Sequence, residues 1–260
     1  MRYGAGPAAL SGLNLSIHAQ ERIAVIGPSG AGKSTLLRLM NRLMRPTIGQ
    51  VLLDGRDITH VHGRALCDVR HQVGMIFQQF NLVGRLTVLQ NVMVGRLASL
   101  RLPWSVLALG RVFPGAEADR AMACLEEVRI ADLAHRRADR LSGGQAQRVA
   151  IARVLAQEPR AILADEPIAS LDPSSASIVL ETLERIHHDR GVPIVINLHH
   201  VDIAQRFATR VVALRAGRLC WDAPADRVDP DRLAALYGDA PDRHARNDVD
   251  RLGRALETVT

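Results

Sequence analysis

Lysine is almost missing from this chain: of 33 Lys and Arg residues, Lys33 is the single lysine. Aromatic residues make up only 3%, so the core has to be aliphatic. Cysteine is sparse as well. Cys67, Cys124 and Cys220 are odd in number and far apart, which argues against a disulfide framework or a paired-cysteine zinc site. No apolar run approaches the ~18 residues of a membrane-crossing helix. Met1-Arg2-Tyr3-Gly4-Ala5-Gly6-Pro7 is too polar and glycine-rich for a signal peptide, so a soluble protein of a reduced, cytoplasmic compartment is expected. The net charge is +6, yet Arg runs from Arg2 to Arg254 among Asp and Glu without a cationic block. That favours a general preference for arginine over a nucleic-acid or membrane-binding surface.

What the chain does have is 260 residues, 47% of them hydrophobic, enough for one large α/β domain with a smaller lobe. The lone lysine stands in Gly27-Pro28-Ser29-Gly30-Ala31-Gly32-Lys33-Ser34-Thr35. A chain that otherwise uses Arg keeps a compact ammonium here, where a flexible point charge serves phosphate oxygens better than a planar guanidinium. The pattern G-x-x-x-x-G-K-[ST] describes a loop whose amides cradle phosphates, with Lys33 on the β- and γ-oxygens and the Ser34 hydroxyl on Mg²⁺. Its context fits, with an apolar strand at Arg22–Ile26 before it and Leu36, Leu37, Leu39, Met40 and Leu43 at helical spacing after it.

Residues 3–17 and 51–54 read as short strands around turns, predicting an antiparallel lobe beside the loop. From Thr87 to Arg140 the pattern is helical, interrupted at Pro103 and Pro114-Gly115, with its best amphipathic helix at 118–130. Helices and strands then alternate: a helix at 145–156, a strand at 161–164, a helix after Pro173, a strand at 194–198, a helix near Ile203 and a strand at 211–214. Such alternation predicts a parallel sheet flanked by helices. The strand Ala161-Ile162-Leu163-Ala164 ends in Asp165-Glu166, two carboxylates at the end of a sheet strand where ligands bind. Asp165 is read as holding Mg²⁺ through water, and Glu166 as orienting and deprotonating an attacking water. Leu141-Ser142-Gly143-Gly144-Gln145 precedes another helix and implies a second anion site.

In order and spacing, the phosphate loop, Leu141 to Gln145, Asp165-Glu166, Ser170-Leu171-Asp172 and His199 resemble an ABC transporter ATPase, from Tyr3 to about Gly238. The resemblance implies a P-loop NTPase fold: an ABC-type core with an antiparallel β lobe and an inserted helical subdomain at about 87–158. Residues 239–260 would be a polar tail. It also implies roles. Tyr3 would stack on adenine, residues Gly27 to Thr35 and Asp165 would bind ATP, and Gln78 would touch Mg²⁺ and water and join the helical lobe to the core. His199 would contact the γ-phosphate, although His200 beside it is separated only by register. Leu141, Ser142, Gly143, Gly144 and Gln145 would enclose the ATP bound to a second copy, with Ser170, Leu171 and Asp172 coupling the two chains. The expected assembly is a homodimer on two transmembrane permease subunits, served by an extracytoplasmic solute-binding protein, at the cytoplasmic face of the inner membrane and without direct nucleic-acid contact.

The segment Phe80 to Val92, Gly95-Arg96-Leu97, Trp104-Ser105, Phe113-Pro114, Leu198-His199-His200-Val201-Asp202 and Leu236-Tyr237-Gly238 is similar to phosphonate-import ATP-binding subunits. ATP-driven phosphonate uptake is therefore the expected function. The alternatives are import of another small solute, such as phosphate, phosphite or an amino acid, and a soluble ABC ATPase acting on nucleic acid or ribosomes. The last usually needs two cassettes or a coiled-coil insertion. Two departures from the family pattern stand out. Only Met1 and Arg2 precede Tyr3 where a short strand is usual, leading to the expectation of a start codon placed too late. Gln20-Glu21 replaces a common Gly-Glu turn, which is expected to alter that turn without touching the chemistry.

Overall fold

The computed structural model describes residues 1–2, 8–97 and 115–237. The chain divides into two compact units, the first made of residues 1–60, 164–166 and 187–260 and the second of 61–163 and 167–186. Tyr3, Trp104, Phe113-Pro114 and the expected tail from 239 lie outside the described residues.

The first unit is built on strands that read as unbroken apolar runs. β1 (Arg22–Ile26) leads into α1 (Lys33–Met40), followed by a hairpin of β2 (Leu52–Leu53) and β3 (Arg56–Asp57). Further on come β6 (Ile194–Asn197), α7 (Val201–Phe207), β7 (Arg210–Arg215), β8 (Arg218–Pro224) and α8 (Pro230–Tyr237). β1 pairs in parallel with β6 on one side and β7 on the other. Ile23 to Ile26, Ile194 to Ile196 and Val211 to Leu214 are all fully buried, as expected for parallel strands covered on both faces. β8 closes the edge antiparallel to β7 and alternates exposed with covered residues, the pattern of a strand wetted on one side.

Within the hairpin, Asp54 (φ 49°) and Gly55 (φ 76°) both take the left-handed conformation, the Asp-Gly turn that matches strand twist. The strand expected within 3–17 is not found among residues 8–17, where Arg2 and Ala8 make an isolated antiparallel bridge. That backbone is served otherwise: the amides of Ala9 and Leu10 donate to the Met1 carbonyl and that of Ser11 to Gly217.

In the second unit, α2 (Gly63–Gln72) runs into β4 (Val73–Ile76). After them come α3 (Val88–Val94), α4 (Gly115–Glu127), α5 (Gly143–Leu155), the opening residues of β5 (Ala161–Asp165), and most of α6 (Pro173–Arg190). α3, α4 and α5 pack on one another. α3 starts with a reciprocal cap, the Thr87 hydroxyl accepting from the Gln90 amide and the Gln90 side chain accepting from the Thr87 amide. The fully buried Asn91 ties down the segment before it, accepting from the Val83 amide at 2.8 Å and donating to the carbonyls of Val83 and Thr87. The neighbouring β4 and β5 lie in this unit through Ala161–Leu163, while Ala164 and Asp165 carry β5 into the first unit beside β6.

Candidate functional site

The loop between β1 and α1 is held by close backbone approach. At Gly27 (φ 144°) a Cβ would lie 2.0 Å from the Leu214 carbonyl oxygen, and at Gly32 (φ 100°) it would lie 2.7 Å from that of Ala9. No other residue fits either place. The Gly27 amide donates to the Tyr237 hydroxyl at 3.1 Å, so α8 fixes the loop's first residue. Gly32 supplies no side-chain cap to α1, which leaves the helix start to be served by something other than its own cap. Lys33 is buried, and its ammonium folds back over the loop, donating to the carbonyls of Gly27 at 2.6 Å and Pro28 at 3.1 Å.

Beside the loop three polar side chains converge. The Ser34 hydroxyl donates to Asp165 Oδ1 at 2.7 Å, the Asn197 amide donates to the same oxygen at 2.9 Å, and the Arg38 guanidinium lies 3.9 Å from Asp165 Oδ2. Asp165 is 5% exposed. A hydroxyl and a carboxylate are hard oxygen donors of the kind Mg²⁺ takes, so Ser34 and Asp165 fit that ion. Among the described residues no cluster of three or more His, Cys, Asp or Glu could hold a metal.

Glu166 follows with φ 51°, a left-handed conformation that costs a non-glycine residue ~1–2 kcal/mol. His199 Nε2 sits 2.7 Å from Glu166 Oε1. That bond, aided by the charges of His199 and Lys33 against a smaller opposing effect of burial, holds the carboxyl below its ordinary range. Register settles which histidine faces the acid, because His200 stands at the N-cap position of α7.

The other expected residues lie in the second unit. Gln78 is exposed in a bend after β4. Just beyond it, Arg153 of α5 donates to the carbonyls of Phe80 at 2.9 Å and Asn81 at 2.6 Å. Ser142 and Gln145 form a reciprocal cap: the Ser142 hydroxyl accepts from the Gln145 amide and the Gln145 side chain accepts from the Ser142 amide. Gly143 and Gly144 are small for a reason internal to this unit, since a Cβ on Gly144 would lie 2.6 Å from Ser175 Oγ and one on Gly143 3.2 Å from Leu171 Cδ2. Asp172 precedes α6, where its carboxylate accepts from the Ser174 hydroxyl at 2.6 Å and the Ser175 amide at 3.0 Å. Both bonds push its carboxyl well below the ordinary range. Tyr3 is outside the described residues.

Sequence reasoning passed over Asn197, Arg38 and the hydroxyl of Tyr237. Asn197 carried one signal, an amide closing an otherwise apolar strand.

A glycine loop joining a central parallel strand to a helix, with a carboxylate pair ending a nearby strand, defines a P-loop nucleoside-triphosphatase core. The model of the ABC transporter family matches residues 10–169, and the chain belongs to that family. It is 45% identical over 238 residues to "Phosphonates import ATP-binding protein PhnC 2" of Synechococcus sp. (strain JA-2-3B'a(2-13)), covering 92% of this chain and 87% of that protein. To "Phosphonates import ATP-binding protein PhnC" of Staphylococcus aureus (strain USA300) it is 46% identical over 236 residues, covering 91% of each. Among solved structures it resembles the dimeric post-hydrolysis state of the ATP-binding cassette MJ0796 bound to ADP and Pi, with a TM-score of 0.74, 33% identity and coverage of 86% of this chain and 94% of that one.

Proposed function

We propose that this chain is the ATP-hydrolysing subunit of a phosphonate importer. Its likeness over almost the whole length to phosphonate-import ATP-binding proteins carries the solute class. The chemistry rests on Lys33, Ser34, Asp165, Glu166 and His199. Lys33 exchanges the carbonyls of Gly27 and Pro28 for the β- and γ-oxygens of ATP, while the loop amides and the start of α1 receive the remaining phosphate charge. Ser34 and Asp165, the latter through water, would hold Mg²⁺, with Gln78 as a further contact; the ion would supply positive charge against the phosphate oxygens. Glu166, a carboxylate ionised at neutral pH, orients the attacking water and takes its proton. His199 positions Glu166 and reaches the γ-phosphate. Tyr3 stacks on the adenine.

Two copies act together. The segment Leu141 to Gln145 of one chain closes on ATP held by the loop of the other, and Ser170 to Asp172 couple the two sites. Closure on ATP and release after hydrolysis drive two permease subunits, fed by an extracytoplasmic solute-binding protein, with this subunit on the cytoplasmic face of the inner membrane. No helix of the described residues is long and apolar enough to cross a membrane.

The test is growth of a deletion strain on an aminoalkylphosphonate as sole phosphorus source. Wild type is expected to restore growth and Glu166→Gln is not. Normal growth of the deletion strain with no second importer present would sink the phosphonate assignment and leave the ATPase reading intact.

A further inference from the structure

Asn197 ends β6, a strand whose preceding residues Ile194, Val195 and Ile196 are apolar and fully buried. Asn197 is itself 0% exposed. A primary amide in such a place is costly unless its N–H groups and carbonyl find partners. Its nitrogen does: Nδ2 donates to Asp165 Oδ1 at 2.9 Å and lies 3.5 Å from Ser34 Oγ. Its carbonyl oxygen is buried with no hydrogen-bond partner. The amide's orientation follows, because an ionised carboxylate only accepts, and Oδ1 turned toward Asp165 would meet a second acceptor. Pairing of Asn197 with Val25 in the parallel register of β6 and β1 fixes the backbone that presents it.

We propose that Asn197 is a positioning residue for the metal–nucleotide site, an inference that rests on reading Ser34 and Asp165 as that site. Asp165 Oδ1 accepts from two donors, Ser34 and Asn197. A serine hydroxyl that turns its oxygen to a cation no longer needs the carboxylate as its acceptor. Asn197 then remains as the donor that holds Asp165 Oδ1 in place, so the carboxylate keeps one orientation with and without nucleotide. A leucine has the same branched outline but is bulkier, and it would remove this donor. An amide retained there is explained by Asp165 rather than by packing.

The experiment compares wild type with Asn197→Leu by binding of the fluorescent analogue mant-ATP, first without metal and then titrated with Mg²⁺, alongside thermal melting of the apo chain. The expected result is metal-free mant-ATP affinity close to wild type, with the Mg²⁺ midpoint raised about tenfold or more, the usual effect of losing an outer partner of a metal ligand; melting serves only to show that the variant is folded. An unchanged Mg²⁺ midpoint overturns the proposal. So does an equal loss of metal-free and metal-dependent binding, which would make Asn197 a packing residue. Should the leucine variant not fold, Asn197→Ala is read by the same criteria. If wild type itself shows no Mg²⁺-dependent gain in mant-ATP binding, the reading of the site falls and takes the role of Asn197 with it.

Discussion

Glu166 is held by its backbone and by one neighbour: φ is 51°, and its carboxylate lies 2.7 Å from His199 Nε2. The largest cause of its lowered pKa is that bond. A carboxyl whose folded pKa lies below its unfolded value stabilises the fold above the ordinary carboxylate range, and that increment is lost as pH falls through the lowered value. His199→Ala is therefore expected to cost below ~1 kcal/mol after solvent screening, with the difference from wild type shrinking on acidification through the carboxylate range. Urea unfolding across that range checks it, and a pH-independent difference would contradict the pair. Gln20 illustrates strain without chemistry. Its φ of 64° is the left-handed conformation that glycine adopts freely, so the turn keeps a glycine-type geometry with a residue poorly suited to it. Gln20→Gly is expected to stabilise the chain by about 0.5–1 kcal/mol, read as a higher urea midpoint at constant m-value.

The start of α5 and the start of α6 meet where no side chain fits. Gly144→Ala would bring a Cβ to 2.6 Å from Ser175 Oγ and 2.7 Å from Ser175 Cβ, forcing the two helix starts apart at a cost of about 1–3 kcal/mol. Gly115 at the start of α4 is the control, since a Cβ there meets nothing within 4 Å, and Gly115→Ala is expected to be neutral or stabilising. Equal effects of the two substitutions in denaturant melts would mean that general helix propensity, rather than the contact with Ser175, decides. Element scale is also where the sequence pattern was least readable. α2 buries only Val69 and so shows little apolar period. β4 is four residues long and includes Gly74, where a Cβ would strike Val154. β8 alternates as an edge strand should, but Cys220 at an exposed position between Leu219 and Trp221 makes an apolar triplet that hides it.

At the scale of the assembled molecule, the two-copy reading turns on Gln145, whose side chain already accepts from the Ser142 amide. An alanine would remove that cap as well as any contact with a partner's nucleotide, and the two losses would be confounded. Gln145→Glu keeps an acceptor suited to the same capping box while placing a negative charge where ATP phosphates are expected. Stability and single-chain ATP affinity are expected to match wild type, with turnover lowered by at least an order of magnitude from like-charge repulsion in a closed site. Sedimentation with ATP, equilibrium binding and steady-state hydrolysis check the three parts. Wild-type turnover in this variant would remove the second copy from the active site.

Much of the core was legible because its signals are contiguous. The run Arg22–Ile26, the glycines and Lys33 after it, and the strand ending in Asp165-Glu166 each state their conformation within about ten residues, through apolar runs, turn residues and helical spacing. The sequence by itself thus determined the phosphate loop, the carboxylate pair and the alternation that makes a parallel sheet. Tertiary structure alone decided that Asn197 and Arg38 stand beside Asp165, that Tyr237 receives the Gly27 amide, and that His199 rather than His200 faces Glu166. The physical reason is distance along the chain. Gly27 and Tyr237 are 210 positions apart and Asp165 and Asn197 are 32 apart, so their contacts depend on strand order and register, which no local pattern carries.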